Sequence, residues 1–233
     1  MNPLRPKRLG MLAPSSNTVL EPETVKLLPA DGSVTAHVSR LRVVQVSAQA
    51  SSLQQFDLDR VLVAAELLAD AQVDLILWNG TAASWLGFDW DERLVEAVER
   101  HTGIRTTTAV IAINQRLAEL RAKRIGLVTP YVAALEERIV ANYRDAGVTV
   151  ANAIRRDLTE NTAIAEISRD EIAAMARQAA RPPVEAVLIL CTNLAGSSIV
   201  PQLEGELNVP VLDSVRVAIE RCLDILAEAP EPA

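Results

Sequence analysis

The thiols, imidazoles and amines able to act as nucleophiles or bases are few: two cysteines, two histidines, and lysines at Lys7, Lys26 and Lys123. None of the lysines lies in an apolar run that would depress its pKa for Schiff-base work. His37 and His101 stand far apart, His101 at what reads as a helix C-terminus, so a histidine-centred triad or a zinc site has no cluster to build on. Neither G-x-G-x-x-G nor the P-loop pattern is present, which argues against a nucleotide cofactor. Cys222 recurs with Val217, Ala218 and Ile225 at helical spacing and reads as a core residue. Cys191 ends the aliphatic run VLIL and is followed by Thr192, Asn193 and small residues through Gly196, Ser197 and Ser198. If the next turn opens a helix, backbone N–H groups face the sulfur, lower its pKa and make a cradle for a carboxylate. The stretch Gly80–Thr81–Ala82 has the same character. On residue type and position alone, Cys191 is equally a packing residue and a reagent.

The elements that must position these residues alternate. RLGMLA, VDLILW and IRTTTAVIA read as strands, separated by helical spacing around 61–69 and 94–100, the signature of a parallel α/β sheet. The plan is then written a second time. RLGMLAPSSN from Arg8 resembles RIGLVTPYVA from Arg124, an offset of 116 that pairs Pro14 with Pro130. VDLILWNGTAAS from Val73 lines up with VEAVLILCTNLA from Val184, an offset of 111 that sets Gly80 on Cys191 and Thr81 on Thr192. IRTTTAV from Ile104 and VPVLDSV from Val209 follow in the same order. The fold expected is α/β with two pseudo-symmetric Rossmann-like (flavodoxin-like) lobes, each a short parallel sheet flanked by helices. Ligands in such sheets bind beyond the carboxyl ends of the strands, so Pro14, Gly80, Pro130 and Cys191 should converge on a cleft between the lobes. The N-terminal lobe is placed at 1–115 and the C-terminal lobe at 116–211, with a helix in 212–233 returning to pack on the first lobe.

Composition narrows the partners. With 49% hydrophobic and 23% charged residues the chain has an ordinary globular make-up. A formal net charge of -7 argues against a general nucleic-acid binder, and the Arg5, Lys7, Arg8 cluster reads as a solvated N-terminus. No apolar run approaches the length of a membrane helix and MNPLRPKRLG lacks the apolar stretch of a secretory signal, so a cytoplasmic protein with reduced thiols is expected. Trp78, Trp85, Phe88 and Trp90 surround the Gly80 segment and read as core packing or a subunit interface before a pocket wall; self-association is compatible with this pattern.

RLGMLAPSSNTVLEPE, NGTAASWLGF, TPY at Thr129–Tyr131, LTENTAIAEIS around Asn161 and LCTNLAG at Cys191 together resemble the aspartate/glutamate racemase superfamily, in its maleate cis–trans isomerase and arylmalonate decarboxylase branch. The resemblance spans nearly the whole chain. It implies a cofactor-independent enzyme acting next to a carboxylate of a small dicarboxylic substrate, without a metal. Racemases of this superfamily use a cysteine on each lobe, and maleate isomerases use the first-lobe cysteine as nucleophile; here that position is Gly80. Arylmalonate decarboxylases carry glycine there and keep the second-lobe cysteine as proton donor. Carried over on these terms, Cys191 is the general acid, while Thr81, Tyr131 and the Thr192 N–H hold the retained carboxylate and stabilise an enediolate. Asn17 and Asn161 match the carboxylate-binding asparagines of the isomerases, and Ala82 replaces a decarboxylase serine. The leading expectation is single-cysteine decarboxylation of a malonate-like acid. The alternatives are a maleate-isomerase-like or racemase-related isomerase, and a non-catalytic carboxylate-binding protein.

Overall fold

A computed structural model describes residues 5–47 and 57–228, so the extreme ends of the expected lobe and C-terminal helix, 1–4 and 229–233, lie outside it, as does 48–56. The first sheet is built from β1 (Lys7–Pro14), β2 (Val34–Leu41), β3 (Leu75–Trp78) and β4 (Thr106–Thr108), in the order β2-β1-β3-β4 and parallel throughout. The second repeats it with β5 (Arg124–Thr129), β6 (Thr149–Arg155), β7 (Ala186–Ile189) and β8 (Val211–Asp213), in the order β6-β5-β7-β8. The three sequence repeats are therefore the strand pairs β1/β5, β3/β7 and β4/β8. The α/β class and the two parallel sheets agree with the expectation from sequence.

Each buried strand is apolar on both faces because helices cover both. In the first sheet, Leu12, Ile76 and Trp78 join the core cluster that includes Val61, Ala65 and Leu68 of α2 (Leu58–Asp70) and Leu94 and Val98 of α4 (Asp89–Thr102), the short α3 (Ala83–Leu86) intervening. The alternate residues Leu9, Met11, Leu75 and Leu77 face the other way. They pack with Leu20 of α1 (Leu20–Leu27) and with Val215, Ala218, Ile219, Cys222 and Leu226 of the last helix, α10 (Ser214–Glu228). Thus α10 follows a strand of the second sheet yet lies on the first, and Cys222 is wholly buried within it. Its counterpart α5 (Ala109–Glu119) follows β4, and its Leu117 lines a cavity with Tyr143 and Val148 of the second lobe. The return of α10 onto the first sheet, where it also packs against α5, ties the lobes together.

Local signals start and stop these elements. Thr108 accepts from the Ile111 N–H and Ser168 from the Glu171 N–H, capping α5 and α8 (Arg169–Ala179). Gly103, at φ 71°, closes α4 in the left-handed conformation. The remaining helices are α6 (Ala133–Asp145), α7 (Asn161–Ala165) and α9 (Val200–Leu207). His37 contacts the Thr35 hydroxyl and His101 pairs with Glu66, both away from the strand ends that build the site. Among the described residues, no helix is long and apolar enough to cross a membrane.

Gly126 in β5 lets α8 approach closely: a Cβ there would lie 2.2 Å from the carbonyl oxygen of Ala179. Gly126→Ala should therefore cost about 2 kcal/mol or more through overpacking. Gly205 in α9 has nothing near its Cβ position, so Gly205→Ala should stabilise by roughly 0.5–1 kcal/mol. Urea unfolding of the two variants checks both signs.

Candidate functional site

The strand ends meet as topology requires. Pro14 ends β1, Gly80 and Thr81 follow β3, Tyr131 follows β5 and Cys191 follows β7, and all line one cavity with Asn17, Val43, Val46, Ala82, Trp85, Asn161 and Thr192. Cys191 and the substrate-contacting candidates Asn17, Gly80, Thr81, Ala82, Tyr131, Asn161 and Thr192 are all in that lining, and of the two strand-end prolines Pro14 is in it while Tyr131 stands there in place of Pro130. Among the described residues no lysine or arginine lines the cavity: the lining includes neutral polar groups and an apolar set of Pro14, Val43, Val46 and Trp85. Of the other aromatics near Gly80, Trp78 and Trp90 are core residues, 6.1 Å apart between ring centroids, and Phe88 stacks edge-on with Tyr143. Among the described residues, no three His, Cys, Asp or Glu side chains gather to hold a metal.

The cavity measures 30 Å³, room for a water or two. A three-carbon dicarboxylate needs several times that space. The polar groups are turned on one another across the lobes instead. Asn17 Nδ2 donates to the carbonyl and the hydroxyl of Thr192, at 3.1 and 3.2 Å. Its Oδ1 accepts from the N–H groups of Val19 and Leu20 at the start of α1. Thr192 Oγ1 donates to the carbonyl of Asn79 at 2.9 Å. Asn161 Nδ2 donates to Ser16 Oγ at 2.8 Å. The hydroxyls of Thr81 and Tyr131 are hydrogen-bonded at 2.7 Å. In this closed form the amides of Asn17 and Asn161 bridge the lobes, and a ligand that used them would have to part these contacts.

The thiol corrects one expectation. Residues 191–196 form a turn, with a 3-10 turn at Ser197–Ile199 and α9 only from Val200, so no helix N-terminus faces the sulfur. The Asn193 N–H does donate to Cys191 Sγ, at 3.4 Å. Burial outweighs this contact and the Tyr131 hydrogen bond, and pushes the thiol up to about 11. Cys191 is therefore a neutral S–H across the physiological range, a proton carrier at rest and not a standing thiolate.

Three contributors escaped the sequence reading. Asn193 is the hub of the cleft: its Oδ1 accepts from the Thr18 and Val19 N–H groups, and its Nδ2 donates to the carbonyl of Asn161 at 2.6 Å. Arg40 donates to the carbonyls of Ser15 and Asn17, both at 3.0 Å, and pairs with Glu21, fixing the turn that presents Asn17. Asp213, at the end of β8, caps α10 through Oδ1, which accepts from Val215 and Arg216 N–H, while its buried Oδ2 has no hydrogen-bond partner among the described residues. The signal for Asp213 was present as an acid closing the apolar run VPVL.

Burial is also what pushes the Asp213 carboxyl up to about 7, against the two cap hydrogen bonds. The unfolded chain ionises this group near the ordinary 3.8. The favourable burial of the neutral acid is thus complete below about pH 4 and is lost as pH rises through about 7. Asp213→Asn keeps the capping oxygen and removes the charge. It should raise the melting temperature at pH 8 by several degrees relative to wild type, with the gain vanishing near pH 4; scanning calorimetry at both pH values tests the sign.

The profile of the family described as "Arylmalonate decarboxylase" matches residues 9–230. A maleate isomerase of Nocardia farcinica is 28% identical over 236 aligned positions, covering 96% of this chain and 93% of its own. An arylmalonate decarboxylase of Bordetella bronchiseptica is 26% identical over 138 positions, 58% of each chain. Among solved structures, the Nocardia farcinica maleate cis-trans isomerase, as a cysteine-to-serine mutant with a covalently bound succinylcysteine intermediate, superposes with a TM-score of 0.87 at 25% identity, covering 96% of this chain and 94% of that one.

Proposed function

The chain belongs to the arylmalonate decarboxylase family and is an enzyme of the group that also holds the maleate isomerases; from that premise we propose that it decarboxylates a small malonate-like acid and protonates the resulting enediolate with Cys191. The observation that carries this reading is the thiol count of the cleft: Cys191 is its one cysteine among the described residues, Gly80 lies in the same lining, and Cys222 is buried under α10.

One carboxylate of the substrate is held by the hydroxyls of Thr81 and Tyr131 and the N–H of Thr192, once these groups exchange their mutual contacts for the ligand. The other carboxylate meets the apolar set of Pro14, Val43, Val46 and Trp85, where an anion is poorly solvated and loss of neutral carbon dioxide relieves the cost. The C–C bond breaks, its electron pair passes into the retained carboxylate as an enediolate, and the same hydroxyl and N–H donors stabilise the developing charge. The Cys191 S–H then gives its proton to the α-carbon, leaving a thiolate that recovers a proton from water before the next turnover. A thiol at about 11 is protonated at rest, as this role demands. Activity should hold level through neutral pH and fall only as pH approaches that value. Asn17 and Asn161, released from Thr192 and Ser16, are further amide donors to a substrate carboxylate.

A second reading, isomerisation of a maleate-like diacid, is favoured by the 28% identity to a maleate isomerase across nearly the whole chain. The related Nocardia structure holds a covalent succinylcysteine. Following that route here would require Cys191 itself to add to the double bond.

Proton NMR in deuterium oxide with substituted malonates and maleate separates the readings. The decarboxylase gives loss of one carboxylate; the isomerase interconverts the diacid with both carboxylates kept. Cys191→Ala should lower decarboxylation by roughly 10²–10⁴-fold while the malonate still binds within a few-fold of wild type by calorimetry. A Cys191→Ala variant of undiminished rate would remove the thiol from the mechanism.

A further inference from the structure

Gly80 is more than the place where a thiol is absent. A Cβ built on it would lie 2.3 Å from Cζ2, 2.4 Å from Cε2 and 2.8 Å from Nε1 of Trp78. These distances are far inside van der Waals contact, so any side chain at position 80 must displace the indole. The indole is not free to swing: Trp78 is fully buried, its ring neighbours that of Trp90, and both belong to the core cluster with Leu94 and Val98. Its Nε1 has no hydrogen-bond partner among the described residues, a cost tolerated where the packing is otherwise favourable. The internal repeat supplies a control within the same chain. The offset of 111 that sets Gly80 on Cys191 also sets Trp78 on Ile189. In the second lobe Ile189 is buried, and the cysteine two residues on has room for its side chain.

We propose that Trp78 is a specificity-determining residue: its indole occupies the seat that a side chain at position 80 would need, so the first lobe presents neither nucleophile nor acid and proton delivery is confined to Cys191. The proposal deepens the single-thiol reading and rests on it. It also means that a first-lobe cysteine cannot be restored by one substitution. Gly80→Cys needs Trp78→Ile beside it, the pairing the second lobe already uses.

A double-mutant cycle tests the steric core of the proposal without any substrate. Gly80→Ala alone should lower the melting temperature by roughly 5 °C or more, whereas in a Trp78→Ile background the same change should cost little, a strong non-additivity between touching residues. Additive effects would overturn the proposal. If Trp78→Ile does not fold, Trp78→Leu replaces it, and a crystal structure of Gly80→Ala with the indole unmoved would overturn it equally. The chemical arm follows α-deuteration of an enantiopure 2-arylpropionate in deuterium oxide. Trp78→Ile/Gly80→Cys should exchange and racemise it at least tenfold faster than Gly80→Cys; equal rates for the two would count against Trp78 as the determinant. Wild-type protein inert toward malonates would defeat the decarboxylase reading, while the melting temperatures of the cycle would still decide whether the indole blocks position 80.

Discussion

The turn of residues 191–193 is held between the two lobes by hydrogen bonds that cross from one sheet to the other, and the rest of the site depends on them. Thr192 is gripped by Asn17 and Asn79, and Asn193 reaches both the start of α1 and Asn161. Because the turn cannot move without breaking several bonds at once, the Cys191 sulfur is fixed in the cleft and shielded from water. That shielding sets its protonation: burial outweighs the hydrogen bonds from Tyr131 and the Asn193 and Leu194 backbone, and the thiol stays neutral. The same closure leaves a cavity of 30 Å³.

The backbone is duplicated but the chemistry is not. Two sheets of identical strand order bring equivalent turns to the cleft, and a symmetric diacid would suit a symmetric site. At the equivalent positions 80 and 191, one lobe has a glycine packed against an indole and the other a cysteine. Among the described residues the lining carries no lysine or arginine, so a carboxylate there would meet neutral donors and apolar walls.

Much of this was legible in the sequence because it is written in local pattern. Aliphatic runs that stop at Pro14, Pro130, Gly80 and Cys191 mark strand ends, and parallel α/β topology brings strand ends together whatever the details. That is why Cys191 and the substrate-contacting candidates chosen from the sequence line one cavity. What sequence could not supply depends on distance between remote segments. Cys191 was expected to be activated by a helix N-terminus, but the helix starts several residues late and burial decides the pKa instead. Asn17 and Asn161 were matched to carboxylate-binding asparagines from sequence, and only the structure shows that their amides meet Thr192 and Ser16 across the cleft. The close approach of the Trp78 indole to Gly80 involves residues two apart at one strand end, but only the path of the chain beyond β3 turns the indole across the glycine.

The central claim, that one thiol fixed in a closed cleft delivers one proton from one side, is tested most directly by turnover of a prochiral 2,2-disubstituted malonate in deuterium oxide, with the product analysed for deuterium content and enantiomeric composition. The account predicts a single enantiomer carrying one deuteron at the α-carbon. A racemic product would contradict it, since protonation would then be reaching both faces of the enediolate.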